Sequence, residues 1–318
     1  MKYLVTGAAG FLGTNLCLRL LAEGHEVVGM DNLSTGTSSN LKKLQMENGF
    51  SFIRHDVVMP YPKKAGEADF IYNLACPASP PRYQRDPLQT FRTSVWGVWN
   101  ATECARANNI PLLHTSTSEV YGDPLVHPQH EGYWGNVNPI GVRACYDEGK
   151  RGAEALLADY FRATEKPVKI VRIFNTYGPH MDQDDGRVIS NFVIQALLGE
   201  KLTIYGDGQQ TRSFCYVEDL VDGLVRMEKS PVDFLGPVNL GNPDEFTILE
   251  LASAVEEVLD TKLHIEFLPL PKDDPTKRQP DISLAKKKLG WFPKVMLKDG
   301  LVKTVAYFKE TLANEERK

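Results

Sequence analysis

Tyr146 and Lys150, in RACYDEGKR (143–151), lie four residues apart, a spacing that sets a phenol and an ammonium on one face of a helix. A cation beside a phenol favours the phenolate. Lowering a phenolic pKa from about 10 to about 7 takes roughly 4 kcal/mol of differential stabilisation. The pair is therefore a candidate base for drawing a proton from a hydroxyl, and Lys150 can also hold the ribose of a nicotinamide. Upstream, TSTSEVYG (115–122) ends an apolar run with Thr117, whose hydroxyl can relay a proton between a substrate hydroxyl and Tyr146. Tyr-xxx-Lys is weak on its own, since 12 tyrosines make about one such pair expected by chance. Gly149 and Gly152 interrupt the same helix at about 1 kcal/mol each. Their presence suggests a close backbone approach to a neighbour, such as the matching helix of a second subunit.

Such a pair works only if the surrounding elements bring it to a cofactor. The first half of the chain alternates short apolar runs with helical stretches: YLVT (3–6), HEVVGM (25–30), FSFIRH (50–55), DFIYNLA (69–75), PLLHTST (111–117) and VKIVRIFN (168–175). Strands separated by helices predict an α/β, Rossmann-like, doubly wound parallel sheet buried on both faces. After Asn175 the chain is richer in turn residues. Residues 1–174 are expected to form the NAD-binding domain. Residues 175–318 are expected to form mainly a smaller α/β lobe, with some segments returning to the first domain. Within that lobe Thr247 and Glu250 form a capping box opening a helix towards Leu259, and a short helix after Asp281 stops at Gly290.

TGAAGFLG places Gly7, Gly10 and Gly13 between the first strand and its helix, where a tight turn lets backbone approach a pyrophosphate at the helix N-terminus. Glycines that merely pack a helix on a sheet would give the same GxxGxxG spacing. Asp31, 18 residues past Gly13 at the end of the second strand, strengthens the dinucleotide reading. A carboxylate there takes both ribose hydroxyls of NAD and repels the 2′-phosphate of NADP. After the third strand, Asp56 and Val57 are candidates to flank the adenine.

The Gly loop, Asp31, Thr117 and the Tyr146/Lys150 pair resemble the extended short-chain dehydrogenase/reductases that act on nucleotide sugars. Longer stretches, NLACPASPPRYQ (73–84), TSTSEVYGDPLVHPQHEGYWGNVNPIG (115–141), RACYDEGKR (143–151) and DGQQTRSFCYVEDLVDGL (207–224), resemble the UDP-glucuronic acid decarboxylase family over nearly the whole chain. That resemblance implies catalytic roles for Thr117, Ser118, Glu119, Tyr146 and Lys150. It implies cofactor contacts from Gly7, Gly10, Phe11, Leu12, Gly13, Asp31, Asn32, Thr35, Gly36, Asp56, Val57, Leu74, Thr93, Tyr146, Lys150 and Arg187. It implies substrate contacts from Tyr83, Arg92, Asn175, Tyr205, Gln210, Arg212 and Arg278, with Arg212 serving either the diphosphate or the carboxylate. Chemically, Tyr146 takes the 4-hydroxyl proton while C4 gives hydride to NAD. The 4-ketone, β to the carboxylate, then permits loss of CO2, and protonation at C5 with hydride return yields UDP-xylose. The alternative is a 4-epimerase or a 4,6-dehydratase. The dehydratases carry Thr-Asp-Glu, whose Asp protonates the departing hydroxyl. Ser118 stands in that position here and is a poor general acid. The chain departs from the family at His180, where Arg is common, and at Cys76, where Ser is usual.

The bulk numbers agree with an enzyme of this size. The chain has 318 residues, a net charge of −5 and 42% apolar residues, which argues against a nucleic-acid binder. No apolar run reaches the ~18 residues of a membrane span, and KYLVTG directly after Met1 leaves no room for a leader. Five scattered cysteines without a CxxC read as reduced thiols. A cytoplasmic homodimer binding NAD and a small-molecule UDP-sugar is expected, with no nucleic acid, membrane or metal. His127 and His130 lack the further ligands a metal would need.

Overall fold

In the computed structural model, described for residues 1–270 and 277–315, the six apolar runs all form strands. These are β1 (Lys2–Thr6), β2 (Glu26–Asp31), β3 (Phe50–Arg54), β4 (Phe70–Asn73), β5 (Leu112–Thr117) and β6 (Val168–Ile173). Between them run α1 (Phe11–Ala22), α2 (Ser38–Gln45), α3 (Pro80–Arg85), α4 (Pro87–Asn108) and α5 (Ala144–Thr164). The second half contributes β7 (Thr176–Tyr177), α6 (Val188–Leu197), β8 (Leu202–Tyr205), β9 (Thr211–Ser213), β10 (Cys215–Tyr216) and α7 (Val217–Lys229). It continues through β11 (Val238–Leu240), β12 (Glu245–Thr247), α8 (Ile248–Leu259), β13 (Ile265–Leu268), α9 (Ser283–Leu289) and α10 (Leu297–Glu315).

The main sheet is parallel, with seven strands in the order β11-β6-β5-β4-β1-β2-β3. Its strands are continuously apolar because both faces are covered, and successive side chains still alternate between two cores. Leu4, Val28, Ile71, Leu112 and Ile170 face one core, under α4 and α5. Tyr3, Val5, Val27, Tyr72, Leu113 and Val171 face the other. That second face is covered partly by the C-terminal half: Glu228 of α7 accepts hydrogen bonds from Tyr3 Oη (3.2 Å) and Tyr72 Oη (3.3 Å). β11 also comes from this half and pairs with β6 through Val238, Asn239 and Leu240.

Local chemistry sets the smaller elements. Thr247 accepts Glu250 N–H while Glu250 accepts Thr247 N–H, the capping box that starts α8. Gly290 in the left-handed region closes α9. The glycine question in α5 also has an answer within this chain. A Cβ on Gly149 would fall 2.9 Å from Ser94 Cβ, so at that glycine the close neighbour is α4.

Candidate active site

The strands β1, β4 and β5 all end at the same edge, where a buried polar chain fixes the crevice. Thr6 Oγ1 donates to Asn73 Oδ1 at 2.8 Å and accepts the Leu74 and Ala75 N–H groups at 3.1 Å each. Asn73 in turn meets His114 Nδ1 at 3.2 Å, and burial, followed by the nearby Lys150 charge, pushes this His well below its usual range.

On one side of the crevice lies a dinucleotide-shaped cleft. Gly7 sits at φ +70° and Gly10 caps α1. A Cβ on Gly13 would lie only 2.0 Å from Gly7 O, so α1 and the loop meet at a distance that no other residue permits. Asp31 Oδ2 accepts Ala9 N–H at 3.0 Å and Oδ1 accepts Leu33 N–H at 2.7 Å. Burial pushes this carboxyl up and those N–H groups oppose the shift. A carboxylate has about four acceptor positions, so with Leu33, Ala9 and Asn32 N–H as donors capacity remains for a ribose hydroxyl. Asp56 is oriented by Asn32 (3.2 Å) and Gln89 (3.3 Å), and Val57 is buried with its carbonyl held by Asn100 (3.0 Å). Gly7, Gly10, Phe11, Leu12, Gly13, Asp31, Asn32, Thr35, Asp56, Val57, Leu74, Thr93 and Arg187 all line this cleft. Gly36 stands behind it, packed on Ala9 and Asp31, where a Cβ would press on both. A glycine cradle, a carboxylate with spare acceptors and an apolar slot fit NAD.

The second cleft, about 600 Å³, shares Leu12, Leu74, Cys76, Ala78 and Arg187 with the first, so the two are one continuous crevice. It contains Thr117, Ser118, Glu119, Tyr146 and Lys150 together with Tyr83, Asn175, Tyr205, Gln210, Arg212 and Arg278. Arg187, paired with Asp185 and lying 5.8 Å over the Phe11 ring, stands at the junction. Arg92 does not join them. It follows one position before Thr93 on α4, and the helical rotation of ~100° turns it to the exposed face. The resemblance-based assignment of Arg92 to the substrate is therefore corrected.

Tyr146 and Thr117 hydrogen-bond through their hydroxyls. The Tyr146 ring stacks on Tyr83 with centroids 5.0 Å apart and planes 3° from parallel. The expected depression of the phenol by Lys150 is not a property of the chain alone. Burial pushes Tyr146 well above the ordinary phenol range, and the Thr117 hydrogen bond opposes it. Lys150 instead donates to Thr115 O at 2.9 Å, and its own burial lowers it. A buried phenol becomes a base only when positive charge is added beside it, which the nicotinium ring of NAD would supply together with Lys150.

Sequence reasoning missed what surrounds Glu119. Its Oε1 lies 2.5 Å from Arg278 Nη1 and its Oε2 accepts from Arg143 Nη2 at 2.6 Å. Burial alone would raise this carboxyl, but the Arg278 and Arg143 guanidiniums outweigh it and hold Glu119 well below the usual carboxylate range. Arg278, 3% exposed, also donates to Ser118 Oγ (3.1 Å) and Gly122 O (3.0 Å). Its fork is thus committed to the Ser118–Gly122 turn, although it lines the cleft assigned to the substrate. Beside it Asp147 is pushed up to about 8 by burial and by Glu119. Arg143 three residues before Tyr146 was the available signal, since that spacing puts both on one face.

Tyr205 is 42% exposed and its carbonyl accepts Gln210 Nε2 at 2.6 Å. Arg212 Nη1 donates to Thr211 O at 2.8 Å. His180, at φ +71°, lines the cofactor cleft against Tyr307, and burial lowers it to about 4.

The profile of the NAD dependent epimerase/dehydratase family matches residues 3–241. The chain is 54% identical over 316 residues to UDP-glucuronic acid decarboxylase 1 of Arabidopsis thaliana, covering 99% of this chain and 72% of that protein. It is 50% identical over 314 residues to UDP-glucuronic acid decarboxylase 1 of Danio rerio, covering 99% and 74%. Among solved structures it resembles UDP-glucose 4-epimerase with UDP-glucose from Thermotoga maritima, with TM-score 0.89, 27% identity and coverage of 98% and 100%. It also resembles the Bacillus cereus UDP-glucuronic acid 4-epimerase in complex with UDP-glucuronic acid and NAD, with TM-score 0.89, 29% identity and the same coverage.

Proposed function

The chain belongs to the NAD dependent epimerase/dehydratase family, and from that premise we propose that it converts UDP-glucuronate to UDP-xylose and CO2. The observation that carries this reading is Glu119, gripped by two guanidiniums in the same cleft as the Tyr146–Thr117 pair. A buried, ionised acceptor beside the phenol suits proton handling at a sugar carbon, and relatives at 50–54% identity bear the decarboxylase name.

Bound here, NAD would supply a reversible hydride acceptor for the sugar C4. Gly7, Gly10 and Gly13 admit its pyrophosphate, Asp31 takes the ribose hydroxyls, and Lys150 holds the nicotinamide ribose. Tyr146 withdraws the 4-hydroxyl proton, with Thr117 as relay. The ketone oxygen so formed stands β to the C6 carboxylate and accepts the electron pair left when the C5–C6 bond breaks. Tyr146 and Thr117, as hydroxyl donors, hold that enolate oxygen. C5 then takes one proton, so the net reaction consumes a proton as it releases CO2. Glu119, kept ionised, serves on that face as an acceptor that orients the proton-bearing water, and Ser118 fixes Arg278 behind it. Asn175, Tyr205, Gln210 and Arg212 at the cleft entrance are assigned to the nucleotide diphosphate and sugar.

Incubation with UDP-glucuronate, UDP-glucose and dTDP-glucose tests the reading. CO2 and UDP-xylose from the first alone are expected. A 4-epimer or a 6-deoxy-4-keto sugar would refute it in favour of an epimerase or dehydratase.

The same reading includes a homodimer in the cytoplasm. Leu88, Trp96 and Trp99, 73%, 51% and 51% exposed, share an outer face of α4 with Phe91. A second copy burying this face isologously is the expected occupant, and a monomer by sedimentation would refute it. All five cysteines are free, consistent with a reducing compartment. Among the described residues no helix is long and apolar enough to cross a membrane.

A further inference from the structure

We propose that Arg143 is the positioning residue that locks Glu119 and the Tyr83–Tyr146 stack into one arrangement. The inference rests on the decarboxylase reading for its kinetic test and stands apart from it for its spectroscopic one. Arg143 is 8% exposed and lines the substrate cleft at the start of α5. Its main-chain carbonyl accepts the N–H groups of Tyr146 (2.9 Å) and Asp147 (3.1 Å), so its backbone sets the first turn of the helix that carries the phenol. Its side chain leaves that turn and donates to Glu119 Oε2 at 2.6 Å. On the way the guanidinium carbon passes 6.0 Å from the centroid of Tyr83, whose ring lies flat on Tyr146. One residue thus bonds the Glu119 carboxylate through its side chain and the backbone of Tyr146 through its main chain.

Arg278 does not duplicate this. Its side-chain partners Ser118, Glu119 and Gly122 all belong to one turn after β5, so it ties that turn to the segment before α9 and not to α5. Arg143 instead ties the turn to α5. A rotation of Glu119 away from Arg143 would change the spacing between carboxylate and phenol without disturbing either backbone. The charged and titratable groups facing Glu119 come from three directions: Arg278 from the segment before α9, Arg143, Asp147 and Tyr146 from α5, and Tyr83 from α3. Asp147 Oδ2, 3.9 Å from Arg143 Nε, competes for the same guanidinium when ionised.

The test compares wild type, R143Q and R143K. Glutamate carboxyls are labelled with 13C and the Glu119 signal is identified by its absence in E119Q. In wild type the Glu119 signal is expected to remain in the carboxylate range from about pH 9 down to about pH 4.5, below which ordinary glutamates protonate. In R143Q it is expected to titrate inside that window, and in R143K to stay outside it. A merely structural Arg143 would lower thermal stability yet leave the Glu119 titration where it was. In turnover of UDP-glucuronate, R143Q is expected to lose about 100-fold in kcat, as for a displacement near ~1 Å, with KM changed less than about threefold. R143K should recover most of the loss. A wild-type Glu119 that titrates as an ordinary glutamate overturns the proposal without any variant, and so does an unshifted titration or unimpaired kcat in R143Q. If wild type releases no CO2 from UDP-glucuronate, the functional reading falls while the titration still decides the role of Arg143.

Discussion

Replacing Gly13 by Ala tests the cofactor cradle directly. The new methyl would sit 2.0 Å from Gly7 O, 2.7 Å from Gly7 C and 2.8 Å from Ala8 Cα, all backbone atoms that cannot swing aside. Reaching an ordinary contact of roughly 3.4 Å requires about 1.4 Å of movement between α1 and the loop. Neither part moves freely: Gly7 N–H is bonded to Met30 O at 2.8 Å and Gly10 N–H to Gly7 O at 3.1 Å. Overpacking of this kind costs about 1–3 kcal/mol. With an unfolding entropy of about 2.1 cal/mol/K per residue over 318 residues, 1 kcal/mol corresponds to about 1.5 °C, so Tm should fall by about 2–5 °C. The displaced N–H groups are the ones that approach the pyrophosphate, so NAD affinity should fall by at least about 10-fold. Gly24→Ala is the control. It sits at φ +81° with nothing within 4 Å of the added Cβ, so it costs backbone strain of about 1–2 kcal/mol without touching the cleft. Calorimetric unfolding and titration with NAD read both effects. An NAD affinity for Gly13→Ala equal to that for Gly24→Ala would refute the claim that the 2.0 Å approach shapes the cofactor site.

Three other outcomes are expected. Tyr146→Phe should lower kcat by about 10²–10⁴-fold while NAD and UDP-sugar binding persist, measured by product formation and titration; unchanged turnover would remove the phenol from proton transfer. Glu119→Gln leaves two buried guanidiniums without their carboxylate, which costs about 3–5 kcal/mol and, by the same entropy, about 4–8 °C in Tm, with CO2 release lost; a Tm within 1 °C of wild type would contradict the ionic role. Asp147 is raised to about 8, above its unfolded value, so its contribution to stability is fully present at low pH and is lost as pH rises towards 8. Asp147→Asn removes that loss, and its Tm advantage over wild type should grow between pH 5 and pH 8; a pH-independent difference would show that Asp147 does not titrate there.

Much of this protein was legible one residue at a time. The six strands of the NAD half announce themselves because a sheet buried on both faces demands continuous apolar runs, and Leu4 and Val5 then divide between two cores through the pleat alone. The turn glycines, Asp31 at the end of β2 and the Tyr146/Lys150 spacing are likewise local, because backbone conformation and helical period are set by neighbours in sequence. The family motifs marked the cleft residues, yet they also drew in Arg92, since a motif marks positions without saying which side of the helix meets solvent.

Local patterning along the chain was enough to specify the sheet, the cofactor loop and the groups that can move a proton. Their charge state and company came from contacts between distant segments. Arg278 reaches Ser118 across 160 positions, Arg143 closes on Glu119 across 24, and β11 arrives from the far half to lengthen the sheet. Whether a carboxyl is ionised or a phenol reluctant depends on how deeply it is buried and which charge packs beside it, and both are products of long-range packing rather than of spacing along the chain.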